Sequence, residues 1–216
     1  MSDLCFEPRA EEECQAALER AREWDYGGPE PMQAMASLRL SQNRPEEAVA
    51  DIVQAFQRLD CDPPPEYEFR VSTAKVLLEC SVVQGSCCEK ALEVLSVLMG
   101  EDDENVEIWY LMGVAFARLQ PPDRAYARMH LETASSMLEK IREALQQQGE
   151  DDFPYEEQAS LVREELERLD VGQGEHEDED EEDEDEGEEG DGGGVGGDSG
   201  ARVAASAVSG DAMQEG

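Results

Sequence analysis

A triplet that returns along the chain constrains its fold more than any other feature. A small residue, a bulky aliphatic residue four positions on and a small residue three further occur as Cys14, Leu18 and Ala21, and again 34 residues later as Ala48, Ile52 and Ala55. A looser copy stands at Ala91, Leu95 and Leu98 and a close one at Ala127, Leu131 and Ala134, so that successive copies lie 34, 43 and 36 residues apart. Offsets of four and three place the three side chains on one face of a helix. A period of this length describes a two-helix unit that stacks on copies of itself, because a single helical hairpin cannot bury its own apolar face. The longest interval contains Pro63-Pro64-Pro65, and the 36-residue interval contains the turn Gln120–Asp123.

Helical periodicity runs from about residue 10 to residue 170, with no sustained strand-like alternation. It predicts eight helices, at roughly 10–24, 31–41, 45–58, 66–84, 87–99, 105–119, 124–147 and 155–170. Pro45 sits in the first turn of the third, where its missing N–H costs nothing, and Glu46 and Glu47 complement the positive end of that helix. The Pro63–Pro65 run and Pro121-Pro122 break the chain between helices, and Asp123 is a natural N-cap. The leading unit has only its second helix, since residues 1–9 are too few for a partner. The last helix carries Leu161, Val162, Leu166 and Leu169 on one side and charge on the other, as a terminal cap requires. The expected architecture is all-α: a helical-hairpin solenoid with a half-repeat at 1–28, a repeat domain with capping helix at 29–170, and a tail at 171–216.

The unit resembles the tetratricopeptide repeat. The order expected of that repeat's first helix is met by Trp109, Met112, Gly113 and Phe116, and its second-helix pattern by Ala127, Leu131 and Ala134. Glycine inside a helix costs about 1 kcal/mol relative to alanine, so Gly113 implies a close approach of two backbones. The units at Met32–Ser41 and Val71–Gln84 match their first-helix pattern poorly, with Ala36 and Leu78 at the glycine position. In such arrays the first helices line a concave groove. That places Gln33 and Ser37, then Lys75, Glu79 and Val82, then Glu107, Tyr110, Val114 and Arg118 in a partner-binding groove, with inter-repeat packing as the other role open to Tyr110.

Charge narrows the partner. The chain carries 54 acidic against 17 basic residues, a formal net of -37, and residues 175–191 alone hold 14 carboxylates with no Lys or Arg. Residues 1–174 still hold 37 acids against 16 bases, a net of -21. Such a surface repels phosphate backbones, which argues against nucleic acid as a direct partner, and it draws basic proteins in. Beyond Val171 the sequence is dominated by Asp, Glu, Gly, Ala and Ser, too poor in apolar surface to offset the entropy of ordering, and is expected to be disordered. No apolar run approaches the roughly 20 residues of a membrane span, and Met1–Glu13 lacks the basic-then-apolar order of a signal peptide. The six cysteines are then read as reduced thiols, and the expected compartments are cytoplasm and nucleus.

Catalytic and metal chemistry find little to build on. His130 has no ligand-type residue at suitable spacing and reads as a surface or partly buried helix histidine, and His176 lies in the acidic tail. Cys87-Cys88 could close only a strained bridge, and Cys88 reads as a small apolar core residue. Gly192, Gly194 and Gly197 satisfy a dinucleotide-binding spacing by composition alone, with no strand before and no helix after. The run Glu101–Glu104 lacks the order of a calcium loop and is expected to favour the start of the next helix. The chain is expected to be a non-enzymatic monomer without cofactor or metal.

Several segments together resemble the dedicated assembly chaperones of the fourth large-subunit ribosomal protein: Phe69-Arg70 with Ala74–Glu79, Ala91–Leu95, Glu101–Asp103, Val106–Gly113, and Ala127 with Leu131–Ala134. The likeness covers roughly residues 66–170 and fades back to Pro29, and its most specific part is Glu107, Trp109-Tyr110-Leu111 and Gly113. It implies capture of a newly made ribosomal protein with a long basic internal loop, cradling of that loop in the solenoid, and delivery to nuclear pre-ribosomes. An acidic chain without a basic import signal is expected to reach nuclear import factors by riding in on its basic client. The positions that carry over are Lys75, Glu79, Glu107 and Tyr110. Two other readings stay open: a general basic-protein or histone chaperone acting through the tail, and a co-chaperone clamping an acidic heat-shock C-terminus. The second needs several groove cations, and only Lys75 and Arg118 are candidates.

Overall fold

The computed structural model describes residues 8–24, 27–150 and 152–177. The described residues form eight helices and no strand: α1 (Pro8–Trp24), α2 (Glu30–Ser41), α3 (Pro45–Phe56), α4 (Tyr67–Cys80), α5 (Ser86–Glu101), α6 (Val106–Arg118), α7 (Arg124–Gln147) and α8 (Glu156–Glu177). Hairpins α2/α3, α4/α5 and α6/α7 stack in sequence, with α1 against α2 and α8 against α7. First helices also touch across units, α2 with α4, α4 with α6 and α6 with α8, as do the second helices α3 and α5. This is the helical-hairpin solenoid the period requires.

Local chemistry explains the boundaries. Pro45 opens α3, and the Arg44 guanidinium forks onto the Glu47 carboxylate at 2.6 Å through both Nε and Nη2. Asn105 caps α6 by accepting from the Glu107 N–H at 3.0 Å, while its amide donates to the Tyr67 hydroxyl at the start of α4. Asp123 caps α7 through the Tyr126 N–H. Three expectations are corrected. The fourth helix ends at Cys80 rather than residue 84, because the Ser81 hydroxyl and the Arg118 guanidinium both take the Leu78 carbonyl and the chain turns there. The last helix continues past residue 170 to Glu177, so Val171 and His176 belong to α8 and not to a tail beginning at 171. Glu101 does not serve the start of α6; it closes α5 and pairs with Arg70. The disorder expected of the acidic and Gly/Ala-rich tail, and the glycine motif at 192–197, lie outside the described residues from 178 on.

The recurrent triplet is the core. Ala48, Ile52, Ala55, Ala91, Leu95, Leu98, Ala127, Leu131 and Ala134 are all fully buried. Cys14 of α1 is exposed and Leu18 and Ala21 only half-buried, as befits a second helix for which the described residues provide no first helix. One apolar cluster joins α2 through α6 and a second joins α6, α7 and α8, with Tyr110 and Phe116 packed against both. Between them α6 and α7 approach closely: a Cβ built on Gly113 would lie 2.6 Å from Leu131 Cγ and 3.2 Å from the Ala127 carbonyl oxygen. Two ionic ties, each anchored on one buried residue, support the stack. Asp51 of α3, 2% exposed, meets Arg39 of α2 at 2.5 Å and Arg22 of α1 at 3.7 Å. Arg70, 9% exposed, forks onto Glu101 with both N–O distances 2.7 Å, tying the start of α4 to the end of α5.

Replacing Gly113 with alanine should destabilise the chain by about 1–3 kcal/mol through overpacking, even though alanine gains about 1 kcal/mol of helix propensity; thermal unfolding followed by circular dichroism measures it. The Arg70 fork holds the Glu101 carboxyl below its ordinary value of 4.5. A depressed native pKa adds stability above the unfolded value and loses it as pH falls through the native one. The difference in urea midpoint between the native chain and Glu101→Gln should therefore be largest near neutral pH and shrink below about pH 4.

Candidate functional site

The face built by the first helices α2, α4 and α6, continued by α8, is where the expected groove residues converge. Lys75 of α4 and Glu107 of α6 are both solvent-accessible and form a cross-unit ion pair, Nζ to Oε1, at 2.6 Å. Glu79, one helical turn from Lys75, is exposed and has no ion-pair partner among the described residues. Arg118 is exposed at the far end of α6, but its Nη1 donates to the Leu78 carbonyl at 3.0 Å. Both cations among the expected groove positions are thus engaged inside the protein.

Other expected groove positions are placed differently. Val114, 4% exposed, lies in the first core cluster and is no docking residue. Gln33, 6% exposed, accepts from the Thr73 hydroxyl at 2.9 Å and ties α2 to α4 instead of facing a partner. Val82 is exposed but stands in the turn after α4, off the helix. Ser37 is exposed on α2. Tyr110 is half-buried between the two clusters, and burial, with Glu165 of α8 next in effect, raises its hydroxyl pKa. Inter-repeat packing is therefore part of its role.

The repeat-motif residues surround α6. Met112 is buried in the first cluster. The Trp109 indole N–H donates to the Asp103 carbonyl at 2.7 Å, and its ring centroid lies 5.4 Å from His130. Phe116 stacks on both Tyr126 and His130. His130, 7% exposed, completes an aromatic cluster and its Nδ1 sits 2.8 Å from the Tyr126 carbonyl. No group of His, Cys, Asp or Glu among the described residues could hold a metal ion, and no helix among them is long and apolar enough to cross a membrane. Sequence reasoning missed the Arg70–Glu101 fork and the Gln33–Thr73 tie, which span 31 and 40 residues and leave no local pattern.

The thiols fall into two groups. Cys14 and Cys61 are exposed, while Cys80, Cys87 and Cys88 are fully buried and the Cys88 thiol donates to the Ala115 carbonyl. Burial pushes Cys80 up to about 12 and Cys88 up to about 11, so neither supplies thiolate at neutral pH. Cys87 and Cys88 are thus packed thiols. In the native chain a thiol reagent at pH 8 should label Cys14 and Cys61 quickly and Cys80, Cys87 and Cys88 only after denaturant is added, as peptide mass mapping would report.

No protein-family model matches the chain. A solved structure titled "MamA RS-1 ArsTM double mutant" superposes with a TM-score of 0.45 at 16% identity, covering 79% of this chain and 91% of that one. A Schizosaccharomyces pombe protein named "Probable assembly chaperone of rpl4" is 34% identical over 119 residues, 52% of this chain and 34% of that protein. An Emericella nidulans protein of the same name is 34% identical over 113 residues, 50% of this chain and 28% of that protein. The chain spans about a third of the length of the curated relatives it matches. The resemblance read in the sequence is borne out: the curated proteins this chain is similar to are named as probable assembly chaperones of rpl4.

Proposed function

We propose that this chain is an assembly chaperone of ribosomal protein L4, binding it through the face made by α4, α6 and α8 and acting in large-subunit biogenesis. The observation that carries the reading is the 34% identity to two curated proteins of that name. The chemistry of the face supports it independently. With Lys75 engaged by Glu107 and Arg118 by a backbone carbonyl, the face has no unengaged cation among the groove positions, while Glu79 is open. A basic loop destined for ribosomal RNA is unfolded and aggregation-prone before assembly, and an acidic surface shields it while competing with stray RNA. The role is one of binding and needs no catalysis. The protein acts as a monomer in the cytoplasm and nucleus, and enters the nucleus with its client and the client's import factors.

The acidic tail serves steering and solubility, since charge of this kind raises encounter rates more than it sets affinity. The heat-shock clamp loses ground, because a terminal carboxylate would meet carboxylates here.

Affinity purification of the tagged chain from cells, followed by mass spectrometry, should recover ribosomal protein L4 in near-equal amount; recovery without any large-subunit ribosomal protein would remove the proposal. Binding should weaken about tenfold or more when salt is raised from about 0.15 to 0.5 M, as screening of a charge-steered interface requires. Glu79→Lys should slow association more than it speeds dissociation, as read by surface plasmon resonance.

A further inference from the structure

We propose that the cleft between the start of α6, the later part of α7 and the start of α8 is a docking pocket for one arginine side chain of the bound basic segment. This deepens the function proposed above and rests on it. The cleft has a volume of about 620 Å³, well above the roughly 300 Å³ at which small-ligand pockets begin, so it holds a side chain with adjoining backbone. Its rim is acidic, with Glu104, Glu107 and Glu157, and its walls are apolar and aromatic, with Tyr110, Tyr155 and Leu161. No Lys or Arg lines it. Glu107 already meets Lys75, whereas the ion pairs among the described residues leave Glu104 and Glu157 without a partner. Of the two arginines of α8, Arg163 donates to the Ser160 hydroxyl at 3.1 Å and Arg168 is held by Glu165 at 2.5 Å, and neither lines the cleft. Tyr155 and Leu161 are 43% and 41% exposed, so the apolar wall is accessible and not a closed core.

That combination selects arginine over lysine. A planar guanidinium stacks on a tyrosine face and forks onto a carboxylate, and being weakly hydrated it gives up little on entering a half-apolar cleft. An ammonium is a strongly hydrated point charge without either geometry. The position gives the pocket a role as well. Because α8 packs against α6 as the next first helix would, the cleft closes the row of first helices, and an arginine seated there sets the register of the extended segment along Lys75, Glu79 and Glu107.

The test is isothermal titration of the full chain with acetyl-Gly-Leu-Arg-Leu-Gly-amide and its lysine and citrulline counterparts. The arginine peptide should bind about threefold or more tighter than the lysine peptide, and the citrulline peptide about tenfold weaker, about 1.4 kcal/mol. In the double variant Glu104→Lys, Glu157→Lys the arginine peptide should lose about tenfold or more, whereas Glu89→Lys, Glu93→Lys on α5, with the same change in net charge, should lose less than about twofold. Equal binding of the three peptides, no binding of the arginine peptide, or an equal loss in the two double variants would overturn the pocket. Capture of ribosomal protein L4 by a chain showing no arginine preference discards the pocket alone. Arginine preference in a chain that captures no ribosomal protein upholds the pocket and discards the function proposed above.

Discussion

The close approach of α6 and α7 is the constraint on which the rest of the structure hangs. Leu131 fills the space a side chain at Gly113 would need, and the Ala127 carbonyl lies just behind it. Because α7 lies that close, α6 can be buried on two sides, with Ile108, Leu111 and Met112 in one cluster and Val106 and Trp109 in the other. Tyr110 and Phe116, packed against both, make the two clusters one body. Displacing α7 would carry α8 with it, and with α8 the end of the proposed binding face. The stability of the scaffold and the geometry of recognition are in this way the same interaction.

Packing also shapes the charge that faces a partner. The bases of the helical region are largely spent within it: Arg39 on Asp51, Arg70 on Glu101, Lys75 on Glu107, Arg118 on the end of α4. The ion pairs cancel charge two by two and Arg118 keeps its own, while acids such as Glu79, Glu104 and Glu157 stand without a cationic partner. Ion pairing leaves the net charge unchanged, so the excess of -21 over residues 1–174 resides in carboxylates that outnumber the unpaired bases. Such a surface favours a basic partner, and the client proposed above is the one printed in the names of the curated relatives.

Much of the fold was legible because its signals are local and periodic. The triplets mark every second helix, prolines and caps mark the turns, and Gly113 announces a close contact before any contact is visible. What stayed hidden depends on residues far apart in the chain. Val114 and Gln33 sit at groove spacing, yet burial depends on how steeply one first helix leans on the next, and no heptad or triplet encodes that angle. Val82 was misplaced because α4 stops when Arg118, 40 residues on, takes its carbonyl. Glu101 looked like part of an acidic run and proved to be the partner of Arg70, 31 residues earlier. The end of α8 was drawn seven residues short because acidic, glycine-containing sequence carries little apolar periodicity even where the helix continues.

The central claim is that recognition belongs to the helical face and that the acidic tail only assists. Hydrogen–deuterium exchange of the full chain, with and without purified ribosomal protein L4, tests it most directly. Protection on binding is expected in peptides from α4, α6 and the first half of α8, with little change beyond residue 178. Protection confined to peptides beyond residue 178, with α4, α6 and α8 exchanging as in the free chain, would contradict it.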